Sequence, residues 1–488
     1  MLLTISTAGL PLALSKLVSE AQTLGRNNQK KRTFQVAFLT FAIVGAAGSL
    51  VMFLFPQQLA SFMKNSNAWY AVKALAPAVF FVCCISAFRG YTQGQSRMVP
   101  TAISQVLEAA SKLLVGLLLV TVLLQCGYHE AKAASGAIFG VTMGTLFSFI
   151  FLIFDYFSDR RKETAAAHDI PDSRKEILGQ ILKLGIPITI GSSVMSIITL
   201  VDNQLVMLRL QNAVGFSEKL ASWYYGTYFN TMNLYNLPSS FIVPLGVSII
   251  PSVAACLARE DREGISKIVN SAMRITAILS FPAGIGLSVL SGPILQLVYP
   301  FKPEEAASGT PLLAVLGIAS IFVCMMLVTN SILQAHGKVN IPVLTMLAGG
   351  LVKISVNWFL VGNPEINIKG APIGTMLCFA VIAILNFIFI CRLLPKRPSL
   401  FQILVKPALA AGIMGLAVWA SYGLMHRAVL GILGDGRVLI VNAISVLVAV
   451  AVGVAVYAVL VIFLRIISKD DLSLMPKGEK IARILHIK

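Results

Sequence analysis

Two lysines, Lys112 and Lys353, stand where a charge is expensive. Each lies about 12 residues past the start of a long apolar run, ~18 Å along a helix at 1.5 Å per residue. A charge at that depth costs at least ~2.5 kcal/mol and faces a protein interior or a water-filled cavity. The two positions are related by a shift of 241 residues, and the flanking prolines Pro100 and Pro342 by 242. One ammonium from each half, turned toward one central cavity, would hold an anionic ligand. Glu108 sits four residues before Lys112. At that helical spacing a local ion pair would simply neutralise the lysine, so ligand binding and structural pairing both stand as readings.

A second polar group ends the run 177–208: Asp202, Asn203 and Arg209. These types suit a gate or a proton site, and equally a cap or an intrahelical pair. Asn230, Asn233 and Asn236 form a polar stripe at helical spacing. Other chemistry is absent from the pattern. There is no phosphate-binding glycine loop, no pair of catalytic carboxylates and no histidine cluster. Of the seven cysteines, Cys83, Cys84, Cys324 and Cys378 lie inside apolar runs, without metal spacing, and read as reduced packed thiols. No cofactor or metal is expected, and the chain is not read as an enzyme. Without a nucleotide motif, energy would come from an ion gradient, the membrane potential or downstream synthesis.

The elements that position these residues are membrane helices. Of 488 residues, 57% are hydrophobic and 12% charged, against about 25% charged in soluble domains. Mean hydropathy is +0.81. Apolar runs fall at 1–24, 34–56, 69–90, 99–125, 133–157, 177–208, 220–256, 270–298, 308–335, 341–361, 369–392, 402–424 and 438–466. Each is long enough to cross ~30 Å of hydrocarbon, and only helices satisfy their own backbone there. The net charge of +18 does not indicate nucleic acid, because the positive residues sit in short loops. Alternate loops hold 24 and 8 Lys and Arg. The rich set, which includes the tail from Arg465, is therefore cytoplasmic. Lys16, Lys183, Arg274 and Lys406 lie near cytoplasmic ends and can snorkel, as can Lys73 at the outer face.

The chain repeats itself. GLPLALS (9–15) matches IVPLGVS (242–248), QGQSRMVP (93–100) resembles AHGKVNIP (335–342), and Ser135-Gly136-Ala137 matches Lys369-Gly370-Ala371. The implied plan is an all-α polytopic membrane protein of two parallel six-helix lobes plus two C-terminal helices. The divisions are 1–157, a linker 158–176, 177–393, an added pair 394–466 and a tail 467–488. The second copy reaches Pro244 about 67 residues after it starts. Counting back as far from Pro11 passes Met1, so the first lobe is expected to be N-terminally truncated, lacking its first helix. Prolines within the runs, three of them in 238–251, are candidate bending points.

The segments AFRGYTQGQSRMVPTAISQVLE (87–108) and STAGLPLALSKLVSEA (6–21) resemble the multidrug/oligosaccharidyl-lipid/polysaccharide exporter superfamily. The likeness is strongest to the stage V sporulation protein B group of its polysaccharide transporter family, relatives of the MurJ-type flippases. The resemblance implies a MATE-like fold with a central cavity in the bacterial cytoplasmic membrane. It also implies a flippase for an undecaprenyl-pyrophosphate-linked oligosaccharide such as the cell-wall precursor lipid II. Its partners would be that lipid-linked substrate, membrane lipids and cell-wall synthesis enzymes. MurJ-type proteins place cavity arginines on the first, second and eighth helices. This chain has Asn233 where the eighth-helix arginine would stand. A cation-coupled drug exporter of the same fold, or a non-transporting scaffold, are the alternatives. The exporter calls for an acidic cavity and the scaffold for no buried charge.

Overall fold

The computed structural model describes residues 2–62, 68–95, 97–160, 169–258, 261–338, 340–394, 401–433, 437–464 and 466. The tail 467–488 and residues 161–168 of the linker lie outside them. Among the described residues the chain is helical throughout, and ten helices are long and apolar enough to cross a membrane. The chain divides into two compact units, residues 1–204 and 205–488.

The first unit holds α1 (Leu2–Thr23), α2 (Asn27–Leu54), α3 (Pro56–Phe62), α4 (Trp69–Gly94), α5 (Val99–Gln125) and α6 (Glu130–Arg160). The helix α4 is its hub: α1, α2, α3 and α6 pack on it, and α5 packs chiefly on α6. Its core is Leu14, Val18, Phe41, Ile85, Phe88 and Leu152, reached also by Ile177 and Ile181 of α7 (Arg174–Asn212). The division between the units falls inside α7.

The second unit contains α8 (Glu218–Tyr235), α9 (Leu237–Ala258), α10 (Arg262–Val289), α11 (Ser291–Val298), α12 (Pro303–Ala335), α13 (Asn340–Leu360) and α14 (Gly370–Leu393). The hub is α12. A π-helical turn Phe401–Val405 leads into α15 (Lys406–Leu433), which pairs with α16 (Val438–Phe463). This pair covers one side of α10 and α11. Replacing α1 through α6 by α9 through α14, in order, reproduces every helix pairing of the first unit.

The repeat holds at single residues. A shift of 241 carries Leu119, Gly116 and Glu108 of α5 onto Leu360, Asn357 and Gly349 of α13. A shift of 234 carries Gly136, Gly140 and Gly144 of α6 onto Gly370, Gly374 and Cys378 of α14. The facing pairs correspond: Gly136 against Leu119 and Gly370 against Leu360, Gly140 against Gly116 and Gly374 against Asn357, Gly144 against Glu108 and Cys378 against Gly349. Small residues every fourth position let the two backbones meet, which is how helices associate where lipid gives no hydrophobic drive. A Cβ at Gly140 would stand 2.6 Å from Gly116 Cα, so the seam admits nothing larger.

Two runs read as single helices are each broken in two. The run 220–256 ends at Tyr235, and a new helix starts at Leu237. Pro238 has no N–H to bond the Leu234 carbonyl, and its ring would clash there. Asn236 fills the gap, its amide donating to the Met232 carbonyl at 2.9 Å. The run 270–298 breaks at Leu290, just before Pro293. The basic stretch 25–33, read as loop, is helical from Asn27 onward. Its start is held by the linker. Asp169 accepts from the Asn28 and Gln29 amides at 2.9 and 2.8 Å, and Gln29 and Asp172 exchange two further bonds.

Candidate functional site

Each unit has a polar junction where three helices meet. In the first unit Arg89 of α4 is its centre. Its Nε donates to Ser104 Oγ of α5 at 3.0 Å, and its Nη2 donates to Glu108 of α5 at 2.8 Å and to Ser148 of α6 at 3.4 Å. In the second unit Asn386 of α14 donates to Thr329 and Asn330 of α12 at 3.1 and 2.7 Å, and accepts from Thr345 of α13 at 2.7 Å. Ser104 and Thr345 are repeat partners under the same shift of 241. One junction is charged and partly exposed, with Arg89 at 13% and Glu108 at 29%. The other is neutral and sealed.

The two lysines that lead the sequence reading part company. Lys112 and Lys353 occupy the same register, thirteen residues past Val99 and past Asn340. Lys112 is exposed, on the edge of the α5 seam beside Gln105, and among the described residues it has no hydrogen bond or ion pair. Glu108 does not neutralise it, because Arg89 has taken that carboxylate. The polar positions Thr101, Ser104, Gln105, Glu108 and Lys112 make one stripe on the first half of α5, and from Leu113 to Leu124 only Gly116 and Thr121 interrupt the aliphatic side chains. Lys353 is buried within the second unit. It lies within electrostatic reach of the Tyr235 hydroxyl, and Tyr228 nearby shares a 2.8 Å hydrogen bond with Thr375. One lysine is offered outward and the other is packed.

The remaining candidates take structural places. Arg209 donates from Nε to the Trp358 carbonyl at 3.0 Å, with its guanidinium 4.4 Å from that indole ring, so it ties the end of α7 to the end of α13. Asp202 is buried on α7 and Asn203 is half-buried beside it. Asn233 is exposed on α8. Lys406 donates to the Leu464 carbonyl at 3.1 Å, and Lys73 stands 5.2 Å from the Phe53 ring. Among the described residues no cluster has the donors for a metal ion.

Arg89 escapes the sequence reading because 89–98 looks like a basic loop. The signal was Gly90 and Gly94, four apart: a Cβ at either would strike the α1 backbone at 2.7 Å. That close seam requires α4 to stay helical past Arg89.

The second unit also holds an apolar cavity of about 670 Å³ between α9, α10, α15 and α16. Pro238, Phe241, Pro282, Met414, Val454 and Tyr457 line it. The Tyr457 hydroxyl is buried there and has no hydrogen-bond partner among the described residues.

A duplicated helical bundle with membrane-length helices and a charged stripe at membrane depth defines a multi-pass membrane protein of the flippase and exporter fold. The solved lipid II flippase MurJ in its inward closed conformation superposes with a TM-score of 0.67 at 16% identity, covering 93% of this chain and 90% of that one. The chain belongs to the lipid II flippase MurJ family, which it matches over residues 15–436. It is 25% identical over 483 residues to the uncharacterized membrane protein YabM of Bacillus subtilis (strain 168), covering 99% of this chain and 87% of that protein. It is 24% identical over 478 residues to stage V sporulation protein B of the same organism, covering 97% and 88%.

Proposed function

We propose that this protein is a flippase that carries an undecaprenyl-pyrophosphate-linked oligosaccharide of the lipid II type across the bacterial cytoplasmic membrane by alternating access, with its C-terminus in the cytoplasm. One observation carries the reading. Lys112 is an exposed ammonium about 20 Å along a membrane helix, with no partner among the described residues. A bare charge at that depth is tolerated only where water or an anion meets it. The diphosphate of a lipid-linked sugar is such an anion. Family membership supports the substrate class.

The test is a flipping assay. Lipid II is accumulated in cells lacking their own flippase and probed from outside, with and without the full chain. Expression of the protein is expected to raise outside accessibility, and unchanged accessibility overturns the reading.

A further inference from the structure

A single ammonium balances only part of a diphosphate's charge, and the first unit holds a second cation on α4, paired with Glu108, which stands one turn before Lys112 on α5. Arg89 is clamped independently of any anion, because Ser104 and Ser148 accept from its Nε and Nη2. Its Nη1 has no partner among the described residues. Among the described residues its charged partner is Glu108, 29% exposed and therefore within reach of water. Arg89 of α4 meets Glu108 of α5, and Lys112 follows Glu108 by one turn. Without Glu108 the empty site would carry two unbalanced cations at membrane depth, an arrangement that costs free energy until an anion arrives.

We propose that Arg89 is a second anion-binding residue and that Glu108 is its resident counter-ion, displaced when a phosphate-bearing headgroup enters. The guanidinium is planar and forked, so a diphosphate can take both terminal nitrogens, while Lys112 adds a point charge one turn past Glu108. The serine clamp keeps the guanidinium in place as Glu108 leaves. The assignment rests on the flippase reading for the identity of the headgroup, and not for the presence of the site. A phosphate group could come from the transported lipid or from an anionic phospholipid of the bilayer.

The experiment measures binding of inorganic pyrophosphate to the purified full chain by calorimetry, first in neutral detergent and then in nanodiscs with or without phosphatidylglycerol. Glu108→Gln should bind about tenfold tighter, equivalent to about 1.4 kcal/mol. Arg89→Gln should weaken binding by a similar factor, Arg89→Lys should keep part of it, and Arg89→Gln combined with Glu108→Gln should lose the gain. Unchanged or weaker binding in Glu108→Gln overturns the proposal, as does a gain that survives loss of Arg89. If Arg89→Gln fails to fold, as thermal unfolding would reveal, Glu108→Gln and Arg89→Lys still decide. Competition by phosphatidylglycerol with the same dependence on Glu108 supports the phosphate site and assigns it to the bilayer. Its absence supports the site and assigns it to the transported lipid. Pyrophosphate binding that responds to Glu108 in a protein that does not flip lipid II keeps the site and sinks the flippase reading. Flipping with binding indifferent to Glu108 does the opposite.

Discussion

The junction of α4, α5 and α6 and the junction of α12, α13 and α14 share a backbone plan and differ in chemistry. The first centres on Arg89, with Glu108 as its ion-pair partner and Lys112 exposed a turn beyond. The second centres on Asn386, with every partner neutral and Lys353 buried. Duplication preserved the seam that sets the helices together, with glycine kept at Gly136/Gly370 and Gly140/Gly374. The side chains around it then went separate ways. A charge kept reachable by water is available for a ligand, whereas a sealed amide network binds only its own protein. The proposed anion site draws on this difference, which leaves the second junction as a sealed structural network.

The comparison breaks most readily at the sealed junction. Asn386→Leu removes one amide and strands the Asn330 side-chain oxygen in a dry site, while the Thr345 hydroxyl falls back on the Pro342 carbonyl at 3.0 Å. The stranded oxygen at roughly 1–3 kcal/mol, together with the two other hydrogen bonds lost, gives an expected loss of about 2–4 kcal/mol. Arg89→Met should cost less, about 1 kcal/mol, because the partner it abandons can reach water. Thermal unfolding in detergent compares the pair. Equal losses would mean that the two junctions play the same part.

Next in size is the seam. Gly140→Ala pushes a methyl into the Gly116 backbone and the Lys112 carbonyl, and backbone cannot step aside. About 1–3 kcal/mol should be lost. Gly374→Ala meets the end of the Asn357 side chain instead of backbone, and should be milder. The same unfolding measurement ranks them, and a reversed order would show that α13 and α14 are the tighter pair.

Much of this was legible in the sequence. The hydropathy runs place the helices, and the run 99–125 coincides with α5. The motif Ser135-Gly136-Ala137 against Lys369-Gly370-Ala371 gives the register in which the α6 and α14 seams correspond. The breaks at Asn236 and Leu290 were not read, because a hydropathy window averages over a proline that ends one helix and starts the next. The site was half legible. Depth picked out Lys112 and Lys353, but their opposite exposure depends on which way each helix is rolled against its neighbour, and the two share one register. Arg89 was hidden because a basic residue near a helix end reads as loop.

At Lys112 the expected effect on stability is small and the effect on transport large. Lys112→Met removes a side chain that touches no partner among the described residues, so unfolding should move by less than ~0.5 kcal/mol. The flipping signal should disappear. A variant that flips lipid II at the wild-type rate removes the first unit's claim to the headgroup.

The smallest effect lies at the helix starts. The N-terminus of α10 is capped from within, Asp261 accepting from the Gly264 amide at 2.8 Å. Its repeat partner α2 is capped from 141 residues away, by Asp169 of the linker. Burial alone would raise the pKa of Asp169, but the Asn28 and Gln29 amides, with the Arg26 charge, outweigh it and hold the carboxyl below its ordinary value. A carboxyl whose folded pKa is depressed contributes fully above the unfolded value, about 3.9, and its contribution fades as pH falls through the folded value. The clasp should therefore be unchanged from pH 8 to about pH 5 and loosen only in stronger acid. Hydrogen exchange reads it directly. The amides of Asn28 and Gln29 should be protected at neutral pH and lose that protection in Asp169→Asn, while the Gly264 amide is unaffected. If Asn28 and Gln29 stay protected in the variant, α2 holds its own start and the linker only rests on it. If the clasp opens with the wild-type chain still near pH 7, the cap draws on a group other than Asp169.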